Sequence, residues 1–213
     1  MGCRGSRPCN PYPFETMTRL ILASQSAARS QLLSQTGLTF DKIPAHLDED
    51  GIKDDCLARG HSPKSVALRL AEAKAMHVAT RHHGLVIGAD QVLQLEKDLI
   101  SKSRDLNEAR ALLKRMSGKT HYLHSAMALA ENGYLVWSHV ETAEMSVRPL
   151  SDPFIDTYLE QTGETILSSV GCYQLEGAGI HLFDAIRGDY FTVLGLPLLP
   201  LLAKFRQLDV VTA

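Results

Sequence analysis

The 213-residue sequence lacks the features that mark several large classes of protein. Its four cysteines form no CxxC pair and its nine histidines form no HExxH motif, so neither a zinc site nor a disulfide framework is predicted. No apolar run reaches the roughly 18 residues of a transmembrane helix, and the opening segment lacks the apolar stretch of a signal peptide. We therefore expect a reduced, cytoplasmic protein that does not contact a membrane.

The sequence also has no excess of positive charge. Twenty-two Lys and Arg residues stand against 24 Asp and Glu residues, for a formal net charge of -2, and no basic stripe or run of aromatic residues is present. Nucleic acid is therefore not an expected partner. With 45% apolar residues the chain can form a substantial core, and we predict a flexible extension over residues 1–16 and a single domain over residues 17–213.

Strand and helix patterns alternate along the first half of the chain, and a β-hairpin pattern follows. This order predicts the α/β class, with a mixed, twisted sheet flanked by helices. Strands are predicted over 20–23 and 85–95, and a hairpin over 120–130 and 134–147 around Asn132-Gly133; helices are predicted from Ala27, from Ser62-Pro63, from Asp105, from Asp152 and over the final GLPLLPLLAKF segment. The acidic residues 48–50 are predicted to lie in a loop, and two strands are predicted around Arg187-Gly188-Asp189.

The turn between the first strand and the first helix contains Ser24, Gln25 and Ser26. A turn that leads into a helix N-terminus leaves backbone N–H groups free to bind a phosphate, and the serine hydroxyls add donors. Arg29 lies in the first helical turn, where the helix dipole disfavours a cation unless an anion binds there. The alternative is a serine N-cap beside a solvated arginine.

Four more charged residues are candidates for the same site. Lys74 lies in the middle of the apolar arc of its helix, and Asp90 closes the apolar run LVIGA, where burial of a carboxylate requires a partner. Lys102 follows a predicted hairpin, and Glu49 lies in the acidic segment. Each has an ordinary alternative: a snorkelling lysine, a loop-capping aspartate or a solvated acid. Together with Ser24 and Arg29 they indicate a polyphosphate site that includes a divalent cation.

The segment from Leu20 to Leu33 resembles the opening motif of the Maf family of nucleoside triphosphate pyrophosphatases, and the resemblance continues from Arg19 to about Leu208. Further matching segments are Asp48-Glu49, R-L-A-x-x-K at Arg69 to Lys74, G-A-D at Gly88 to Asp90, Lys102 before Glu108-Ala109, Thr120-His121, G-x-Y at Gly171 to Tyr173, Glu176-Gly177, Gly188-Asp189 and G-L-P-L at Gly195 to Leu198.

This resemblance implies a two-lobed fold with a central cleft, similar to that of inosine triphosphate pyrophosphatases, and an enzyme that hydrolyses nucleoside triphosphates to monophosphate and pyrophosphate. Asp90 would activate water or hold the metal, Mg²⁺ or Mn²⁺, with Glu49 on the metal side. Ser24, Arg29, Lys74 and Lys102 would bind the triphosphate. The implied role is removal of modified nucleotides, by a homodimer. The alternative implied by the family is a non-catalytic, nucleotide-sensing regulator of cell division and septum formation.

Two departures from the family pattern concern substrate binding. Ala27-Ala28-Arg29 stands where the family commonly has Pro-Arg-Arg, so one basic contact is absent. Gln91 and Glu176 resemble the branch that acts on 7-methyl-GTP. A carboxylate can accept hydrogen bonds from the N1–H and exocyclic amine of guanine, and it attracts a cationic methylated base. The alternative is that Glu176 is a loop residue that faces water.

Overall fold

The computed structural model describes residues 18–211, which form a sheet of seven strands with helices on both faces. The predicted extension over residues 1–16 lies outside the described residues. The strands are β1 (Leu20–Leu22), β2 (Phe40–Lys42), β3 (Leu85–Leu95), β4 (Asp98–Ile100), β5 (Thr120–Glu131), β6 (Tyr134–Val147) and β7 (Phe183–Arg187). The helices are α1 (Ala27–Gln35), α2 (Glu49–Ala58), α3 (Pro63–Ala79), α4 (Leu106–Met116), α5 (Asp152–Thr162), α6 (Tyr190–Val193) and α7 (Leu198–Gln207), with 3-10 helices at Gly163–Ser168 and Ala178–Leu182.

The sheet combines parallel and antiparallel strands in the order β2-β1-β3-β5-β6-β7. Strand β1 is parallel to β2 and β3, whereas β5, β6 and β7 continue the sheet in antiparallel fashion. The short strand β4 pairs with the C-terminal end of β3. The predicted mixed α/β fold is therefore confirmed.

Strand β3 runs through both lobes of the molecule. At its N-terminal end, Leu85 and Ile87 pack with α1 and α7 on one face, while Val86 packs with α3 on the other. At its C-terminal end, Leu93 and Leu95 belong to a separate cluster built around α4 and α5. The two ends of this 11-residue strand therefore contribute side chains to different hydrophobic cores, and the sheet connects the two lobes.

The edge of β3 is open between these lobes. Pairing with β1 ends at Ile87, whose carbonyl accepts a hydrogen bond from Ala23 N at 2.8 Å. Pairing with β4 begins only at Leu93, opposite Ile100. Residues 88–92 therefore border a cleft at the point where β1 gives way to a loop.

Local sequence signals explain where most elements begin and end. Ser62 caps α3 with Pro63 in its first turn, and Asp105 caps α4 by accepting a hydrogen bond from Glu108 N at 2.8 Å. Asn132 and Gly133 both adopt positive φ, which the tight turn between β5 and β6 requires. Within residues 18–211, no helix is both long and apolar enough to cross a bilayer.

Two predictions of local structure were wrong. The acidic segment is the start of α2, since Asp48 caps the helix by accepting from Gly51 N at 3.0 Å, and Glu49 lies in the first turn, where the dipole favours anions. After Gly188 the chain forms α6 instead of a second strand. Asp189 accepts from Thr192 N at 3.0 Å, and this cap favours the helix.

Candidate active site

The turn after β1 is ordered by its own serines. Ser24 is buried, and its Oγ accepts a hydrogen bond from Ser26 N at 3.2 Å. Ser26 is the N-cap of α1, and its Oγ accepts from Arg29 N at 3.3 Å. The serine cap of the alternative interpretation is thus present. It fixes the direction in which Arg29 leaves the helix.

Arg29 is half-buried and points into the cleft. Its Nη1 donates to the carbonyl of Ala89 at 3.0 Å and lies 3.4 Å from Ser24 Oγ, and its Nε donates to the carbonyl of Gly195 at 2.8 Å. Burial lowers the pKa of this guanidinium, and the nearby carboxylates of Asp90 and Glu49 oppose that shift. Because arginine stays protonated in proteins, the site contains a fixed cation. A solvated arginine is therefore ruled out.

Lys74 connects two acidic residues at the floor of the cleft. Its side chain is only 9% exposed, and its Nζ lies 2.6 Å from Asp90 Oδ1 and 2.9 Å from Glu49 Oε1. Gly88 makes this contact possible, since a Cβ there would lie 2.2 Å from the Ala71 carbonyl oxygen of α3. The helix therefore packs directly on β3, two residues before Asp90 on the same face of the strand.

Five of the predicted site residues thus lie together, drawn from the turn after β1 and from α1, α2, α3 and β3: Ser24, Arg29, Glu49, Lys74 and Asp90. We call these residues the charged cluster. With two cations and two anions it is close to neutral. Within residues 18–211 no group of three or more His, Cys, Asp or Glu side chains is arranged to hold a metal ion, so Glu49 and Asp90 form a pair that needs further ligands.

Lys102 lies at the opposite border of the cleft. It is exposed and follows β4, whose pairing with β3 ends at Ile100 opposite Leu93, so β4 borders the open edge of β3 at the end away from β1. Its side chain also lines a surface groove beside Glu108 and Arg115. In the described part of the chain, Lys102 forms no ion pair with the charged cluster.

Gln91 points away from Asp90, because successive side chains of a strand lie on opposite faces. Its Nε2 lies 2.8 Å from Ser125 Oγ and 3.1 and 3.0 Å from the carbonyl oxygens of Thr192 and Val193. Gln91 is therefore bound to α6. Its side chain and that of Arg29 both lie beside Gly195, where an added Cβ would be 3.6 Å from Gln91 Cδ and 3.4 Å from Arg29 Nε.

Glu176 lies in the loop before the second 3-10 helix and is exposed. One oxygen accepts a hydrogen bond from the hydroxyl of Tyr190, at 2.9 Å, and this bond raises the pKa of the Tyr190 phenol. Glu176 makes no hydrogen bond or ion pair with the charged cluster among residues 18–211.

The profile of the Maf-like protein family matches residues 19–208. The chain belongs to the Maf family. The match extends from the residue before β1 to the end of α7, so it includes every element that contributes to the charged cluster.

Curated relatives of this Maf protein cover almost its whole length. A 7-methyl-GTP pyrophosphatase of Rhizobium meliloti is 52% identical over 91% of this chain and 98% of its own. A nucleoside triphosphate pyrophosphatase of Caulobacter vibrioides is 50% identical over 90% of this chain and 96% of its own. A solved dITP/XTP pyrophosphatase from Mycobacterium abscessus is 15% identical, with a TM-score of 0.42 over 90% of this chain and 95% of that one.

Sequence reasoning missed the groups that hold the predicted residues in place. In this Maf protein the carbonyls of Ala89 and Gly195 bind Arg29, and Ser125 and Thr192 bind Gln91. Backbone carbonyls carry no side-chain signal, so only the G-L-P-L segment pointed to Gly195. Thr192 could have been found through Asp189, because aspartate is a preferred N-cap residue and Asp189 caps α6 by accepting from Thr192 N.

Proposed function

We propose that this Maf protein is a nucleoside triphosphate pyrophosphatase that cleaves the bond between the α- and β-phosphates. The observation that carries the proposal is the Asp90 carboxylate, buried at the open edge of β3 beside two cationic side chains. The printed names of two relatives, each about half identical over nearly the whole chain, support the same reaction class.

Asp90 is proposed as the base. It takes a proton from a water molecule whose oxygen forms a bond to the α-phosphorus, while the bond from that phosphorus to the bridging oxygen breaks and pyrophosphate leaves. Arg29 and Lys74 bind phosphate oxygens and stabilise the charge that develops on the leaving group. Ser24 and the N-terminal turn of α1 add neutral donors on the same side, and Lys102 binds from the opposite border of the cleft.

The donor set suits a divalent cation of the Mg²⁺ or Mn²⁺ type. Such ions bind through one or two carboxylates together with phosphate oxygens, and Glu49 and Asp90 lie within ion-pair distance of the same Lys74 ammonium. The near-neutral charged cluster also lacks the positive charge to balance a triphosphate. When bound, the ion would supply this charge and polarise the phosphate oxygens, with Glu49 and Asp90 as its protein ligands.

We propose a 7-methyl-GTP-like nucleotide as the substrate and nucleotide house-cleaning in the cytoplasm as the role. Glu176 supports this choice because a carboxylate can accept from both donors of a guanine edge. The 7-methyl-GTP pyrophosphatases named from Rhizobium meliloti and from Brucella suis, the latter 47% identical, agree with it. A homodimer remains a prediction from the family.

The second candidate is a nucleotide-sensing regulator of cell division that does not turn its ligand over. The buried carboxylate of Asp90 argues against it. A pure binder gains nothing from placing Asp90 beside the phosphates, because like charges oppose binding.

The test is release of pyrophosphate from 7-methyl-GTP, GTP, UTP and dTTP, with Mg²⁺ and with Mn²⁺, together with nucleotide binding measured by calorimetry. We expect the wild type to release pyrophosphate and Asp90→Asn to bind nucleotide without turnover. The matched control is Asp184→Asn, at an exposed position of β7, which should keep full activity. Binding without turnover by the wild type would instead favour the regulator, and full turnover by Asp90→Asn would remove Asp90 from its role.

A further inference from the structure

Helix α6 contacts both residues that the sequence associates with base recognition. The carbonyls of Thr192 and Val193, in the second half of the helix, accept from Gln91, and the hydroxyl of Tyr190, at its first position, donates to Glu176. A helix of four residues is about 6 Å long. Gln91 and Glu176, which are 85 residues apart in the sequence (176 minus 91), are therefore held by the two ends of one short element.

Helix α6 is itself fixed to the sheet. Thr192 is fully buried, and its Oγ1 donates to Glu141 Oε2 of β6 at 2.8 Å. Its carbonyl accepts from Ser125 Oγ of β5 at 2.6 Å. Gly188 lets the preceding turn approach β6, since a Cβ there would lie 2.9 Å from the Cα of Ala143. With anchors on two strands, α6 is a rigid support.

The contacts with α6 determine which atom Gln91 can offer to a ligand. Three oxygen acceptors surround Nε2, whereas the flipped amide would place Oε1 against two carbonyl oxygens. The amide orientation is therefore fixed, and both N–H groups are used within the protein. Only the carbonyl oxygen remains for a ligand, so Gln91 can accept but cannot donate.

Glu176 is in a similar position. An ionised carboxylate only accepts hydrogen bonds, and the Tyr190 hydroxyl occupies one of its two oxygens and so restricts the rotation of the group. The exposed loop around Glu176 provides no other side-chain hydrogen bond for its carboxylate within residues 18–211.

We propose that Tyr190 is a positioning residue for base selection. It orients Glu176 so that the two side chains held by α6, Gln91 and Glu176, present only hydrogen-bond acceptors to the base. Such a subsite selects bases with adjacent N–H donors on one edge, the guanine pattern with or without the 7-methyl group. It disfavours adenine, whose N1 is an acceptor, and pyrimidines. This inference rests on the proposed function and names the residue that sets its specificity.

The test is Tyr190→Phe, which removes only the hydroxyl from a side chain that is 47% exposed, so that folding is preserved. Without this hydroxyl the Glu176 carboxylate is free to rotate, so we expect KM for 7-methyl-GTP and GTP to rise about tenfold. The value of kcat and the KM for UTP should stay unchanged, because the charged cluster is untouched. The matched control is Tyr134→Phe, at the exposed start of β6.

The same change in a Glu176→Ala background separates positioning from an independent contact. If Tyr190 acts through Glu176, Tyr190→Phe has no further effect there. An unchanged KM for guanine nucleotides in the single variant, an equal loss for all four nucleotides, or additivity with Glu176→Ala would each overturn the role of Tyr190. A wild type that turns over UTP as well as 7-methyl-GTP would contradict the proposed substrate instead, before any variant is compared.

Discussion

The ammonium of Lys74 lies 2.6 Å from Asp90 Oδ1, in a contact between helix α3 and strand β3 that is closed to solvent on most sides. The same ammonium reaches Glu49 at the start of α2. One lysine therefore pairs with two acids that come from different parts of the chain, and the stability of the protein depends in part on these ion pairs.

Replacing Lys74 with Met keeps the side-chain length and removes the charge. Asp90 is then left buried without its direct ion-pair partner, so we expect the free energy of unfolding to fall by about 3 kcal/mol in urea titrations at pH 7. Adding Asp90→Asn should recover part of this loss. The matched control is Lys114→Met, which breaks an exposed pair with Asp152 and should have a much smaller effect. Equal losses in the two single variants would contradict the importance of the buried pair.

The metal dependence of the reaction should change when Glu49 becomes Gln. If Glu49 is a metal ligand, the Mg²⁺ concentration for half-maximal activity should rise by about tenfold, because an amide is a weaker ligand than a carboxylate. The comparison is Asp50→Asn in the same first turn of α2, which removes a neighbouring charge that pairs with Lys53. Chelation should abolish activity of the wild type. Identical Mg²⁺ curves for Glu49→Gln and the wild type would remove Glu49 from the metal site.

Gly88→Ala should separate α3 from β3. The added Cβ would lie 2.2 Å from the Ala71 carbonyl oxygen, so the helix must move, and we expect a loss of about 2 kcal/mol in unfolding free energy together with a large loss of activity. Gly60→Ala is a suitable control, because no atom lies within 4 Å of its added Cβ and the change adds only backbone strain. Wild-type turnover by Gly88→Ala would show that the Lys74–Asp90 contact does not require this packing.

The stability of the protein should fall in mild acid. Burial lowers the pKa of His121 and of His124 to about 4, below the usual 6.5. Between these values the unfolded chain binds protons that the folded chain does not, so stability is fully present above pH 6.5 and is lost as the pH falls toward 4. Between pH 7 and pH 4 the loss is up to about 3 kcal/mol for each histidine.

His124→Gln isolates one of these groups. His124 bonds Thr142 and Gln94, and glutamine can replace these bonds but does not titrate. Urea unfolding measured from pH 5 to pH 7 should therefore show a slope that is smaller by up to about 1.4 kcal/mol per pH unit. A variant with the wild-type slope would show that His124 titrates alike in the folded and unfolded chains.

The elements with strong local signals were predictable from the sequence. The apolar run that forms β3 was predicted with the observed bounds, and Asn132-Gly133 placed the hairpin turn, because burial and turn geometry act on neighbouring residues. The start of α2 was missed because the acidic residues were interpreted as a solvated loop, although aspartate, as at Asp48, is a residue type preferred at helix N-caps.

The site was predictable as a set of residues but not as an arrangement. The inward position of Lys74 follows from helical periodicity, and the structure does place it against Asp90. The direction of Gln91 and the anchoring of Arg29 depend instead on carbonyls that lie about a hundred or more residues away, at Thr192 and Gly195. No local sequence pattern predicts which backbone carbonyl will accept a hydrogen bond from Arg29 or from Gln91.

The hydrogen bond from Arg29 to the Gly195 carbonyl joins positions separated by 166 residues. Contacts of such long range form late, since the intervening chain must first be ordered. Arg29 is therefore held in its final position only once the turn before α7 has joined the fold.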